Sequence, residues 1–160
     1  MISSKKSLTK TNKITISGIS IAMYIIIMYF TQSFAFMQIQ VRLATSLYAL
    51  AAIFPFLIVP MGIANFLSNT LMGGLGLPDM IGGAIAGMIT SALIYLISRY
   101  KLNDWLIIIP LISVPGLLVP LWLSYILHVP YLMLVLSVSA GQVIPAVLGV
   151  LLVKEFRKFY

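Results

Sequence analysis

Acidic residues are scarce in this chain: Asp79, Asp104 and Glu155 are the only three in 160 residues. Cysteine is absent, which excludes disulfides and thiol chemistry. The single histidine, His128, has no acid or cysteine near it in sequence, so no metal site is expected. No Ser–His–Asp set has plausible members, and no run of the form GxxxxGK[ST] is available to hold nucleotide phosphates. These absences argue against an enzyme and against a resident cofactor, and a proton relay lacks its carboxylates. Any active transport would draw its energy from another subunit or an ion gradient.

What the chain has in abundance is apolar surface. It is 61% hydrophobic with a mean hydropathy of +1.11, more than a soluble fold of 160 residues can bury. The reading is a polytopic protein of the cell membrane, all-α. Its positive charges fall into three clusters: Lys5/Lys6/Lys10/Lys13, Arg99/Lys101 and Lys154/Arg157/Lys158. Short loops rich in Lys and Arg stay in the cytoplasm, so the net charge of +7 is a topology signal. It is not a nucleic-acid footprint, because the basic residues flank the membrane segments.

A span needs about 20 apolar residues, within roughly 17–25. The stretch between the first two clusters must cross an even number of times, and four crossings fit; the stretch between the last two holds two. Six transmembrane helices are expected near 14–35, 42–58, 60–73, 79–98, 104–126 and 131–153, with both termini cytoplasmic. This divides the chain into a basic segment 1–13, a membrane domain 14–153 and a basic tail 154–160. The second and third helices are short and divided by Pro55 and Pro60, so one of them can fail to span fully. A cleavable signal peptide ending near Ala35 is the competing account of the N-terminus, but it leaves an odd number of spans. Trp122, Tyr125 and Tyr131 suit an outer aromatic belt, and Tyr100 and Trp105 an inner one.

Polar residues inside the apolar spans are the candidates for function. Arg42 is the one basic residue outside the clusters, on the outer side of this topology. A central arginine costs roughly 2.5–3.5 kcal/mol on insertion, so it wants a partner or a water-filled cavity unless it snorkels to headgroups. At α-helical spacing Arg42, Thr45, Ser46 and Ala49 share one face. Asn65 and Asn69 lie one turn apart with Gly62 on the same face, either as interhelical hydrogen bonds or as ligand contacts. Asp79 opens a helix after a glycine-rich loop and suits a cap, without excluding a binding role. Gln142 with Ser139 is the only polar pair in the last span, and Gln32, Gln38 and Gln40 lie at the first outer loop. Gly18 with Ala22, and Gly83 with Gly87, have the small-xxx-small spacing that lets helices approach closely.

The order Gln40-Val41-Arg42, Pro55, Gly62, Asn65, Asn69, Gly74, Gly76, Asp79, Gly82-Gly83 resembles the queuosine-precursor S components, QueT- and QrtT-type, of energy-coupling factor (ECF) transporters. The resemblance is strongest over residues 36–98. It implies a six-helix membrane protein that captures a 7-deazaguanine outside the cell, such as preQ1 or queuine. Such a protein works with a transmembrane scaffold, the T component, and two cytoplasmic ATPases. With it, the polar residues Gln40, Arg42, Thr45, Asn65, Asn69, Asp79 and Gln142 are the expected substrate contacts, and the resemblance implies scaffold coupling through Gly18 and Ala22. Thr45 and Gln142 stand where the QueT-type pattern carries glutamate, so on this point the chain is nearer the QrtT-type branch.

The ligand chemistry is compatible with these residues. A 7-deaza ring offers arginine only its O6, and a carboxylate suits the N1–H and exocyclic amine edge. Arg42 and Asp79 can divide these two tasks, or they can pair with each other. Tyr24, Phe30, Tyr48, Phe54 and Tyr125 are the aromatics that can stack on the ring. Two other readings stay open: an S component for another vitamin or nucleobase, and a non-transporting assembly or holin-like membrane protein.

Overall fold

In a computed structural model that describes residues 8–35, 40–73 and 75–159, every regular element is helical. Five long segments are apolar enough to cross a membrane. They are α1 (Lys10–Ala35), the run Pro55–Gly73 containing α2 (Ile58–Ser68), α3 (Leu77–Arg99), the run Asp104–Leu127 containing α4 (Ile108–Leu127), and α5 (Tyr131–Phe159). Part of the first two expected outer loops, near 36–41 and 74–78, including Gln38 and Gly74, lies outside the described residues, as do Lys5 and Lys6.

The expected second helix takes a different form. Leu43–Ala52 is a ten-residue 3₁₀ helix, too short to count with the five. Its composition of leucine and alanine would suit an α-helix, so tertiary context has overridden propensity. Two anchors give the reason. Arg42, just before it, donates to Asn69, beside the first turn of α3. Its last carbonyl, at Ala52, accepts from Ser98 Oγ at the far end of α3. Ten residues rise about 15 Å as an α-helix but about 20 Å as a 3₁₀ helix, so the tighter winding reaches further along the bundle. Residues Ala44 to Ala51 are all buried, enclosed by α1, α3 and α5. Small side chains permit this: Ala49 packs where a Cβ on Gly149 would stand only 3.1 Å from it.

One continuous apolar core surrounds this inner helix. It takes Tyr24 and Met28 from α1, Leu57 and Met61 from the second run, Ile94 from α3, Leu111 from α4 and Val150 from α5. α1 is peripheral, with 17% of its apolar window buried against 50% for the run ending at Leu127. Pro115 and Pro120 lie within α4, whereas Pro110 falls in its first turn, where the missing N–H breaks no helical bond. At the entry to α3, Gly76 has φ +85°, a conformation that disfavours any side chain.

The described members of the three basic clusters lie toward one end of the bundle. Lys13 Nζ lies 6.0 Å from the Phe56 ring, just past the Ala52 end of the inner helix. Arg157 donates to Ser98 Oγ at 2.9 Å and pairs with Asp104 at 3.0 Å. Lys154 Nζ sits 4.2 Å above the Trp105 ring. The residues expected as a C-terminal tail continue α5 as helix to Phe159.

Candidate functional site

At the opposite end the polar residues converge. A cavity of about 20 Å³ is lined by Gln40, Arg42, Thr45, Tyr48, Asn65 and Gln142, with Gly83, Gly87 and Thr90 of α3 behind them. Pro115, Val119 and Val138 form its apolar wall. Its present volume holds about one water molecule, so a two-ring heterocycle requires the walls to part.

Arg42 does not snorkel to a surface; it is 5% exposed and lines the cavity. Its Nη1 donates to Asn69 Oδ1 at 3.2 Å, and Asn69 Nδ2 donates to the Asp79 carbonyl at 3.0 Å. Asn69 also begins a π-helical turn, Asn69–Gly73, an irregularity that recurs at functional sites. Thr45 Oγ1 lies 2.7 Å from both the Arg42 carbonyl and Gln142 Oε1. One hydroxyl proton serves one acceptor at a time. A ligand donor can therefore take Gln142 Oε1 while Thr45 stays bonded to the carbonyl.

The face expected at α-helical spacing is redrawn by the 3₁₀ winding. With three residues per turn, positions i and i+3 eclipse, so Arg42, Thr45 and Tyr48 stand in one row toward the cavity. Ser46 instead bonds the Leu43 carbonyl, and Ala49 packs into the core. Tyr48 was one of five candidate aromatics; the shorter period is the signal that would have singled it out.

Behind Tyr48 the hydroxyls of Tyr24 and Tyr48 are 3.1 Å apart and their rings stack at 5.7 Å. Asn65 Nδ2 donates to both hydroxyls, which fixes its amide plane. Asn65 Oδ1 is buried beside Gly83 without a hydrogen-bond partner. Gly83 is therefore more than a helix-packing residue: an added Cβ would strike the side-chain amides of both Asn65 and Asn69. Phe30 and Tyr125 are 78% and 83% exposed and Phe54 lies in the apolar core, so none of them faces the cavity.

Asp79 departs from the expected cap. It occupies the first turn of α3, which has no side-chain cap bond, and its Oδ1 accepts from Trp122 Nε1 at 3.0 Å. Trp122 thus leaves the expected outer belt and turns inward over Gly82, where a Cβ would fall 2.9 Å from its ring. Asp79 is 1% exposed, and its Oδ2 has no hydrogen-bond partner. Asn69 and Asp79 consequently stand one shell outside the cavity, linked to it through Arg42. Ser139 packs against Gly116 and does not join Gln142 at the cavity. On the outside of α1, Gly18 and Ala22 are exposed, and nothing lies over Gly18. No cluster of metal-ligating side chains exists among the described residues.

The model of the QueT transporter family matches residues 14–158, and the chain belongs to that family. No curated protein and no solved structure matches. With five membrane-capable helices, it is a multi-pass membrane transporter protein.

Proposed function

We propose that this protein is the substrate-capturing S component of an energy-coupling factor importer, and that its cargo is a 7-deazaguanine precursor of queuosine. The observation that carries the reading is the convergence of Gln40, Arg42, Thr45, Asn65 and Gln142 on one cavity in a chain otherwise so apolar. Their chemistry matches the ligand: Arg42 donates to O6, while Gln142 Oε1 and the unpartnered Asn65 Oδ1 accept from ring and amine N–H groups. Tyr48 supplies the aromatic wall. Asn69 and Asp79 position Arg42 and the start of α3.

The cavity opens, in this reading, where α4 leaves α3, the two helices that the Trp122–Asp79 bond ties together. In this reading the basic end faces the cytoplasm and the cavity opens outside. The exposed Gly18/Ala22 face of α1 meets the scaffold component, which acts with two ATPases.

Calorimetric titration of the solubilised protein with aminomethyl-deazaguanine and with queuine tests the site. Arg42→Lys keeps the charge but not the planar fork, and should weaken binding about ten- to a hundred-fold, equivalent to roughly 1.5–3 kcal/mol. Unchanged affinity in a folded Arg42→Lys variant refutes the assignment. Gly18→Leu with Ala22→Leu should abolish uptake in whole cells while leaving the titration curve intact. Parallel loss of binding would instead make α1 part of the internal packing.

A further inference from the structure

At the basic end, the gap between the C-terminal turns of α3 and the start of α4 forms an apolar groove of about 330 Å³. Leu93, Leu96, Tyr100, Leu102, Leu106 and Ile109 line it, and each is 37% exposed or more. Lys101 sits between two of the lining residues, held at φ +53° by the turn that ends α3. Arg99 lies one turn beyond Leu96, its Nη1 on the Tyr95 hydroxyl at 3.2 Å.

The charges around this mouth are unequal. Asp104 and Glu155 are the acids at this end, and each already has a cation: Arg157 at 3.0 Å and Lys158 at 2.6 Å. Lys154 is over the Trp105 ring. Arg99 and Lys101 have no carboxylate partner among the described residues. Two cations that flank the groove-lining Tyr100 in sequence, at the end where tyrosine and tryptophan mark an interface, match an amphiphile with a negative head.

We propose that this groove is a specific site for an anionic phospholipid, its acyl chain between α3 and α4 and its phosphate on Arg99 and Lys101. The site rests on the chain's membrane location and is independent of the transport reading. A cation beside an anionic headgroup contributes about 1 kcal/mol, or about five-fold in affinity, so the pair gives about 25-fold.

Native mass spectrometry of the delipidated full-length protein, titrated with phosphatidylglycerol and with phosphatidylcholine of identical chains, reads this directly. Phosphatidylglycerol should bind about 25-fold more tightly, and Arg99→Gln with Lys101→Gln should reduce it to the phosphatidylcholine level. Leu106→Trp and, separately, Ile109→Trp fill the groove and should weaken both lipids; either variant that melts like the parent decides this arm. Equal binding of the two lipids, or none, overturns the proposal. So does a preference that survives in the double glutamine variant, or groove-filled protein that binds as the parent does.

Discussion

Two arginines at opposite ends of the molecule show how context sets the worth of one side chain. Arg157 keeps 42% of its side chain exposed and pairs with Asp104 across a surface that water can reach. Arg42 is buried, and its guanidinium is built into a chain of side chains that ends at the first turn of α3. Water can replace what Arg157 supplies. Around the cavity, Arg42, Asn65, Asn69 and Gln142 take hydrogen-bond partners from other elements, because a buried group left unmatched costs its full desolvation.

The largest effect should come from Gly83→Val. The added carbons displace the amides of Asn65 and Asn69 together, so overpacking and lost hydrogen bonds act at once. A destabilisation of about 3 kcal/mol is expected in thermal or denaturant unfolding of the solubilised protein. A variant as stable as the parent would break the comparison, since the cavity end would then tolerate rearrangement like a surface.

Trp122→Phe is a finer probe. It keeps an aromatic ring over Gly82 but removes the donor to Asp79, leaving a buried carboxylate oxygen unmatched. The expected loss is about 2 kcal/mol, in the range for hydrogen bonds to charged groups. If α4 is the part that moves, this variant should also speed ligand entry in stopped-flow binding. Slower entry would place the opening elsewhere.

The smallest change is expected at the other end. Arg157→Gln removes an ion pair that water and salt already weaken, and should cost less than about 1 kcal/mol. Unfolding at low and high salt checks this. A loss exceeding that of Trp122→Phe would show the basic end to be the more tightly coupled one.

Much of the architecture was legible from composition. Sparse acids, three basic clusters and apolar runs of spanning length pointed to a helical membrane protein, because a bilayer demands internally bonded backbone and long apolar segments. Polar side chains in such segments are costly, so Arg42, Thr45, Asn65 and Gln142 stand out in the sequence as candidate site residues. Their cost in a bilayer shows in the order of residues; their arrangement does not.

What tertiary structure alone decided was the winding of Leu43–Ala52 and everything that follows from it. The span between the Asn69 and Ser98 anchors is a property of the assembled bundle, and it favours a period of three over 3.6. That choice puts Tyr48 in line with Arg42 and sends Ala49 into the core. In the same way, Trp122 looks like a belt residue until α3 presents Gly82 and a buried carboxylate to it. Sequence determined which residues must be inside a membrane and which of them would be expensive there. The fold determined who meets whom, because those partners are 27 to 97 residues apart and come together only when the helices pack.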